Sequence, residues 1–366
     1  MEKSILKYLD LDRKPMNVVE ALKEEKLPLV MWGCGDVGNT VENYLRDNGI
    51  IIDDVFIDVK ADNIDFDGYK VLSLQQVLDK YEKFNLILGH SSYKKGEKLA
   101  EEVENISNVF MIPSVFYNQC ENIKADFIIE NEEAYNRTFN LLEDDYSREC
   151  MAAYLNTRVN GDMKYIYPLS KEEITYFKND IFSLDNNQVF VDVGAFDGDT
   201  IREFVMDMNR KYSKIIAFEP GDESFEGLKD YIEKDNLNNV TCIKQGTWNK
   251  KEVLKFAADD KSFSITDGCG EISCPVDKID NLVDKYPELD EITIMKVNFY
   301  SGVLETLQGA KELIKRRKPR FAIVVGFDGN ALINIPQYIK QIVPEYKCYL
   351  RFNRAMPACL TLYAEV

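Results

Sequence analysis

Short apolar runs alternate with amphipathic stretches in two separate parts of the chain. In the first part, Leu29-Val30-Met31-Trp32, Val55-Phe56-Ile57-Asp58, Leu86-Ile87-Leu88 and Val109-Phe110-Met111-Ile112-Pro113 read as strands, with a helical pattern after the first running through Leu45. In the second, Val189-Phe190-Val191-Asp192-Val193-Gly194, Lys214-Ile215-Ile216-Ala217-Phe218 and Val240-Thr241-Cys242-Ile243-Lys244-Gln245 read the same way. Strands that alternate with helices predict parallel sheets covered by helices. Between them, about 119–186, helical spacing dominates and charges are frequent, as in Leu141-Leu142-Glu143-Asp144-Asp145 and Ser147 to Leu155. The expected organisation is an N-terminal Rossmann-like domain over 1–118, a helical connector over 119–186, and a second α/β domain over 187–366. No low-complexity stretch or short repeat interrupts it.

Length and charge agree with that division and narrow the partners. The 366 residues suit two domains. A 45% apolar fraction excludes an intrinsically disordered chain. With 45 Lys+Arg against 63 Asp+Glu, the net charge of -18 argues against nucleic acid or an anionic membrane as partner. No apolar run nears the ~20 residues of a membrane-spanning helix, and the first residues lack a signal-peptide core, so a soluble, cytoplasmic protein is expected. The eight Cys show no CxxC pair and read as reduced, buried thiols. A single His, His90, rules out a multi-His metal site, and its place after Phe84–Gly89 reads as a strand-end or loop histidine. No metal site is expected: Asp197 and Asp199 read as a cap or a solvated pair.

Two glycine turns carry the candidate chemistry. Gly33, Gly35 and Gly38 form GxGxxG between a strand and a helix, and Asp58 follows 20 residues past Gly38 at the end of the next strand. That context suits a nucleotide, with phosphate on the helix N-terminus and a ribose on the carboxylate; a turn that needs glycine only for packing is the equal alternative. The second turn is Asp192-Val193-Gly194-Ala195-Phe196-Asp197-Gly198-Asp199-Thr200, and the strand after its helix ends in Glu219-Pro220. An acidic turn suits a ligand without phosphate that carries a sulfonium and an ammonium, which describes S-adenosylmethionine. Gly194 lets the backbone approach it, and Glu219 can accept hydrogen bonds from a ribose diol. Further on, Gly246-Thr247-Trp248 supplies an aromatic that could cover the adenine.

Residues from about 141 to 366 resemble the FkbM family of class I S-adenosylmethionine-dependent methyltransferases. The likeness rests on Tyr176-Phe177, VFVDVGAFDGDTIREF (189–204), IIAFEP (215–220), MKVNFYSGVLETLQGAKELIKRRKPRFAI (295–323) and IPQYIKQIVPEYKCYLRF (335–352). It implies a seven-stranded methyltransferase sheet with helices on both faces, and S-adenosylmethionine held by Asp192, Gly194, Gly198, Asp199, Glu219 and Trp248, with Phe196, Thr200, Pro220 and Gly246 as further candidate cofactor residues beside them. It also implies a small-molecule acceptor, a hydroxyl of a sugar or nucleotide-linked sugar as in polysaccharide biosynthesis. The first lobe resembles the small Rossmann-like domains that stand beside sugar-modifying enzymes. The acceptor side departs from the family. Where relatives read K-x-D-x-E-G, this chain reads Lys296-Val297-Asn298-Phe299-Tyr300-Ser301, so the candidate catalytic residues are Asn298 and Tyr300, neither a good base at neutral pH. Phe327 and Phe352 stand where similar chains have histidine. Methyl transfer with an atypical acceptor pocket is one reading; a non-catalytic module that binds S-adenosylmethionine or a nucleotide-sugar is the other. Oligomeric state is unreadable.

Overall fold

In the computed structural model, residues 3–11, 18–58, 65–90, 92–112, 125–170, 175–259, 262–265, 272–299, 301–327 and 329–366 are described. The first lobe is built on five strands: β1 (Leu29–Trp32), β2 (Asp54–Ile57), β3 (Leu72–Ser73), β4 (Phe84–Leu88) and β5 (Ile106–Phe110). They lie in the order β3-β2-β1-β4-β5, all parallel. The central strands β1 and β4 are buried at every position, which is why they read as unbroken apolar runs. The expected second strand is offset by one residue, leaving Asp58 just past its end. The last strand differs more. It spans Ile106–Phe110 rather than starting at Val109, because it is the sheet edge: Ser107 and Asn108 are exposed, so apolar runs do not mark it. Pro113 lies outside the described residues.

The second lobe holds the seven-stranded sheet expected of it. Its strands are β6 (Val189–Val193), β7 (Lys214–Phe218), β8 (Val240–Ile243), β9 (Ile294–Val297), β10 (Arg320–Val324), β11 (Lys347–Phe352) and β12 (Leu360–Glu365). Their order is β8-β7-β6-β9-β10-β12-β11, parallel except for β12, which runs antiparallel to both neighbours. Separate apolar clusters, one around Val191, Ile216 and Met295 and one around Phe190, Ala217 and Ala322, cover its two faces. Alternate residues of each strand feed opposite faces. Gly246–Thr247, Glu252–Asp259, Ser262–Ile265 and Ile272–Asp277 form a small separate sheet between β8 and β9.

The helical stretch between the lobes shares its core with the second sheet. The helix Asp145–Asn160 is buried along most of its length and packs on β11, where Ser147 Oγ accepts the Leu350 N–H at 2.9 Å. Beside that contact the buried Arg351 is held by Asp144 (2.8 Å) and Asp180 (2.9 Å). Such a desolvated guanidinium is stable only because its donors are shared between two carboxylates. Met163 and Ala355 join the apolar cluster of Val30, Phe84 and Leu86, so the lobes are in contact. Among the described residues no helix is long and apolar enough to cross a membrane. The six described cysteines are free thiols, while Cys120 and Cys269 lie outside the described residues.

Candidate functional site

In each sheet the strand order reverses beside the first strand, β1 or β6, the place where sheets of this kind form a crevice at the C-terminal strand ends. In the second lobe the crevice lies between β6 and β9. The chain leaves β6 through Gly194, at φ +76°, where a side chain would place its Cβ 2.7 Å from the Asn298 carbonyl oxygen. Only glycine permits that approach without strain. The turn continues through Phe196, at φ +49° with an exposed ring, to Gly198, which precedes the helix Asp199–Asp207. Asp199 Oδ1 accepts the Thr200 N–H at 2.7 Å and occupies its own helix start.

Two carboxylates flank this turn, and each has a distinct task. Asp192 is fully buried on β6, and its Oδ1 receives Lys296 Nζ from β9 at 2.9 Å. Lys296 also donates to the Gly194 carbonyl at 2.9 Å, so one buried ammonium ties the strand to its turn. Burial pushes the Asp192 carboxyl up to about 6, against the pull of Lys296. Its second oxygen, Oδ2, is buried without a hydrogen-bond partner among the described residues, as is Asp197 Oδ1. Glu219, just past β7, accepts the Phe196 N–H through Oε2 and the Gly221 N–H through Oε1, both at 2.8 Å. Burial raises its carboxyl, and those two amides lower it again. Each Glu219 oxygen therefore keeps one lone-pair site rather than two. The set fits a phosphate-free cation such as S-adenosylmethionine: two buried carboxylate oxygens beside the turn lack a donor.

The remaining predicted residues fall around this core. Pro220 follows Glu219, half-buried. Gly246 and Trp248 enter the small sheet, where Gly246 pairs with Val276 and the Trp248 amide donates to the Asp277 carbonyl. The indole packs with Leu254, Cys274 and Val276, and a side chain at Gly302 would collide with it. Asn298 follows β9, and its amide donates to the Tyr176 hydroxyl at 3.5 Å. Burial raises the Tyr176 phenol well above its ordinary value, so this pair is neutral. Tyr300 lies outside the described residues. Phe327 and Phe299 line a cavity of about 250 Å³ beside the turn, whereas Phe352 is buried in the apolar core and is absent from the cavity lining. Lys296 was not singled out as a site residue by the sequence, though a lysine within an apolar strand is a visible signal.

The first-lobe turn has the same plan with different surroundings. Gly33, at φ +112°, abuts the Gly89 carbonyl, and a Cβ on Gly38 would come 2.6 Å from the Gly33 oxygen. Gly35 faces open space before the helix Asp36–Asp47. The Trp32 indole N–H donates to Asp58 Oδ1 at 3.4 Å, and its ring meets the His90 edge with centroids 4.7 Å apart. His90 Nδ1 accepts the Ser92 N–H at 3.2 Å, and burial lowers the imidazole below its usual value. The imidazole is then neutral, with its proton on Nε2. No metal-binding group of His, Cys, Asp and Glu occurs among the described residues.

No protein-family profile matches the chain, and no curated protein matches it. Among solved structures, the FkbM methyltransferase of Methylobacillus flagellatus KT aligns over 96% of this chain and 93% of its own, with a TM-score of 0.67 and 18% identity. The chain therefore has the fold of that methyltransferase. An rRNA methylase of Streptococcus thermophilus aligns over 56% of this chain and 94% of its own at 13% identity and a TM-score of 0.31. A Streptococcus mutans protein solved in complex with SAH aligns over 50% and 90% respectively, at 16% identity and a TM-score of 0.31.

Proposed function

We propose that the second lobe transfers a methyl group from S-adenosylmethionine to a hydroxyl of a sugar or nucleotide-linked sugar. When bound at the turn, the sulfonium supplies a methyl carbon: a C–O bond forms, the S–CH3 bond breaks, and the hydroxyl proton leaves to solvent. The observation that carries the reading is the pair of buried, unpartnered carboxylate oxygens, Asp192 Oδ2 and Asp197 Oδ1, at a turn that leaves β6 through a glycine of positive φ. Lys296 keeps the turn closed on β6, and Glu219 fixes its far side at Phe196. Asn298 offers a hydrogen bond to an acceptor but takes no proton. Alignment alone supplies much of the rate of such a displacement, so a general base worth ~10²–10⁴-fold is dispensable. In the first lobe, the open Gly35 and the Asp58 carboxylate support a place for the nucleotide part of the acceptor.

The neutral Asn298–Tyr176 pair equally supports a second reading, a module that binds S-adenosylmethionine without turnover. Calorimetric titration with S-adenosylmethionine, followed by a homocysteine-release assay with candidate acceptors, separates the two. Glu219→Ala is expected to weaken binding by roughly 1.5–3 kcal/mol, the worth of hydrogen bonds to a charged group. Unchanged affinity with intact circular dichroism overturns the site.

A further inference from the structure

The 250 Å³ cavity beside the turn begins at Phe299, whose ring carbon Cδ1 lies 3.2 Å from where a Gly194 side chain would start. One residue thus borders both the turn and the cavity. The opposite wall is made by two helices, Val303–Gly309 and Gly329–Ile342. Apolar and polar groups share the lining about equally, with Val324, Phe327 and Ile335 joining Phe299 on the apolar side. Glu305 is the one ionisable group described in the lining, and Asn334 stands exposed on the second helix. Glu305 is half-buried and Asn334 exposed, and neither side chain is hydrogen-bonded to a described residue. A carboxylate and an amide without protein partners, beside apolar side chains, are what a ligand hydroxyl needs.

We propose that this cavity is the acceptor subsite, that it takes one uncharged, hydroxyl-bearing ring with an apolar face, and that Glu305 and Asn334 hold its hydroxyls. The assignment deepens the methyl-transfer reading and rests on it for the word acceptor. Size sets the limit: the cavity falls below the ~300–1,000 Å³ of sites for drug-sized ligands, so a single ring fits and a nucleotide does not. Charge sets the second limit, since a phosphate would meet Glu305 inside a chain of net charge -18. Any phosphate attached to the ring must remain outside. The ring hydroxyl donates to Glu305, which holds and orients it.

Methyl α-glucopyranoside and catechol present this chemistry on a sugar and on an aromatic ring, and glucose 6-phosphate adds the charge. Saturation-transfer NMR and calorimetry on the full chain, with and without S-adenosylhomocysteine, read binding directly. At least one neutral probe is expected to bind, and glucose 6-phosphate to bind more weakly than the glycoside. Glu305→Gln is expected to weaken the bound probe about tenfold, as is Asn334→Leu, with Ala331→Phe filling the cavity and abolishing it. S-adenosylmethionine affinity should stay unchanged in all three variants. Failure of both neutral probes, tighter binding of the phosphate, or wild-type probe affinity in folded Glu305→Gln and Ala331→Phe overturns the subsite. A wild-type chain that binds a probe but not S-adenosylmethionine overturns the methyl-transfer reading instead.

Discussion

The two glycine turns of this chain share a backbone and differ in what surrounds it. Both leave the first strand of their sheet through a glycine at positive φ, and in both a side chain there would strike a carbonyl, that of Gly89 for Gly33 and of Asn298 for Gly194. Glycine spacing therefore reports only that strand, turn and helix pack closely. The flanking groups separate the turns. At Gly194 a buried ion pair, Asp192–Lys296, pins the turn and leaves a carboxylate oxygen without a donor. At Gly33 the neighbours are an indole, a neutral imidazole and an Asp58 carboxylate that meets the indole. A cation suits the first set of groups. Among the described residues, the second set includes no ion pair buried on both sides.

The sharpest way to break this contrast is to remove the pin. Lys296→Met leaves Asp192 buried without its partner and should cost about 3–5 kcal/mol in urea unfolding. Adding Asp192→Leu should restore most of it, because a buried ion pair replaced as a whole costs far less than half of one. Asp58→Asn in the first lobe should change stability by under about 1 kcal/mol, as for surface contacts. Equal losses at both turns would erase the distinction.

A smaller effect compares the glycines themselves. Gly194→Ala forces a left-handed residue against the Asn298 carbonyl and should cost at least ~1–2 kcal/mol. Gly35→Ala, at φ -89° with nothing within 4 Å, should leave stability unchanged and act only on a ligand of the first lobe. The smallest effect is on pH. A carboxyl raised to about 6 in the folded chain contributes stability that is complete below the unfolded value of ~3.9 and is lost as pH rises through 6. Cation binding runs the other way, since it needs the ionised form. S-adenosylmethionine affinity should fall from pH 7 to pH 5, and Asp192→Asn should flatten that dependence in calorimetry.

What was legible in the chain follows burial. β1, β6 and β7 sit inside their sheets, and their apolar runs gave their bounds within a residue. The edge strand Ile106–Phe110 was displaced because two of its five side chains face solvent. Trp248 was read from order along the chain as a cover for adenine, yet its surroundings depend on Glu252–Asp259 pairing with Ile272–Asp277, a contact no local pattern announces. Glu305 passed unnoticed for a similar reason. On a helix of seven residues, only the packing of Gly329–Ile342 nearby decides that it lines a cavity.

The position of β12 has a consequence for how the second lobe comes to exist. It is the last of the seven strands along the chain, yet it lies between β10 and β11 and supplies hydrogen bonds to both. Until it arrives, β10, whose Val324 lines the cavity, is an open edge that any other extended chain could occupy. During synthesis the first sheet can finish early from neighbouring segments, while the second waits for its keystone. The second lobe would then be the later half of the molecule to mature, and the one more dependent on protection while it does.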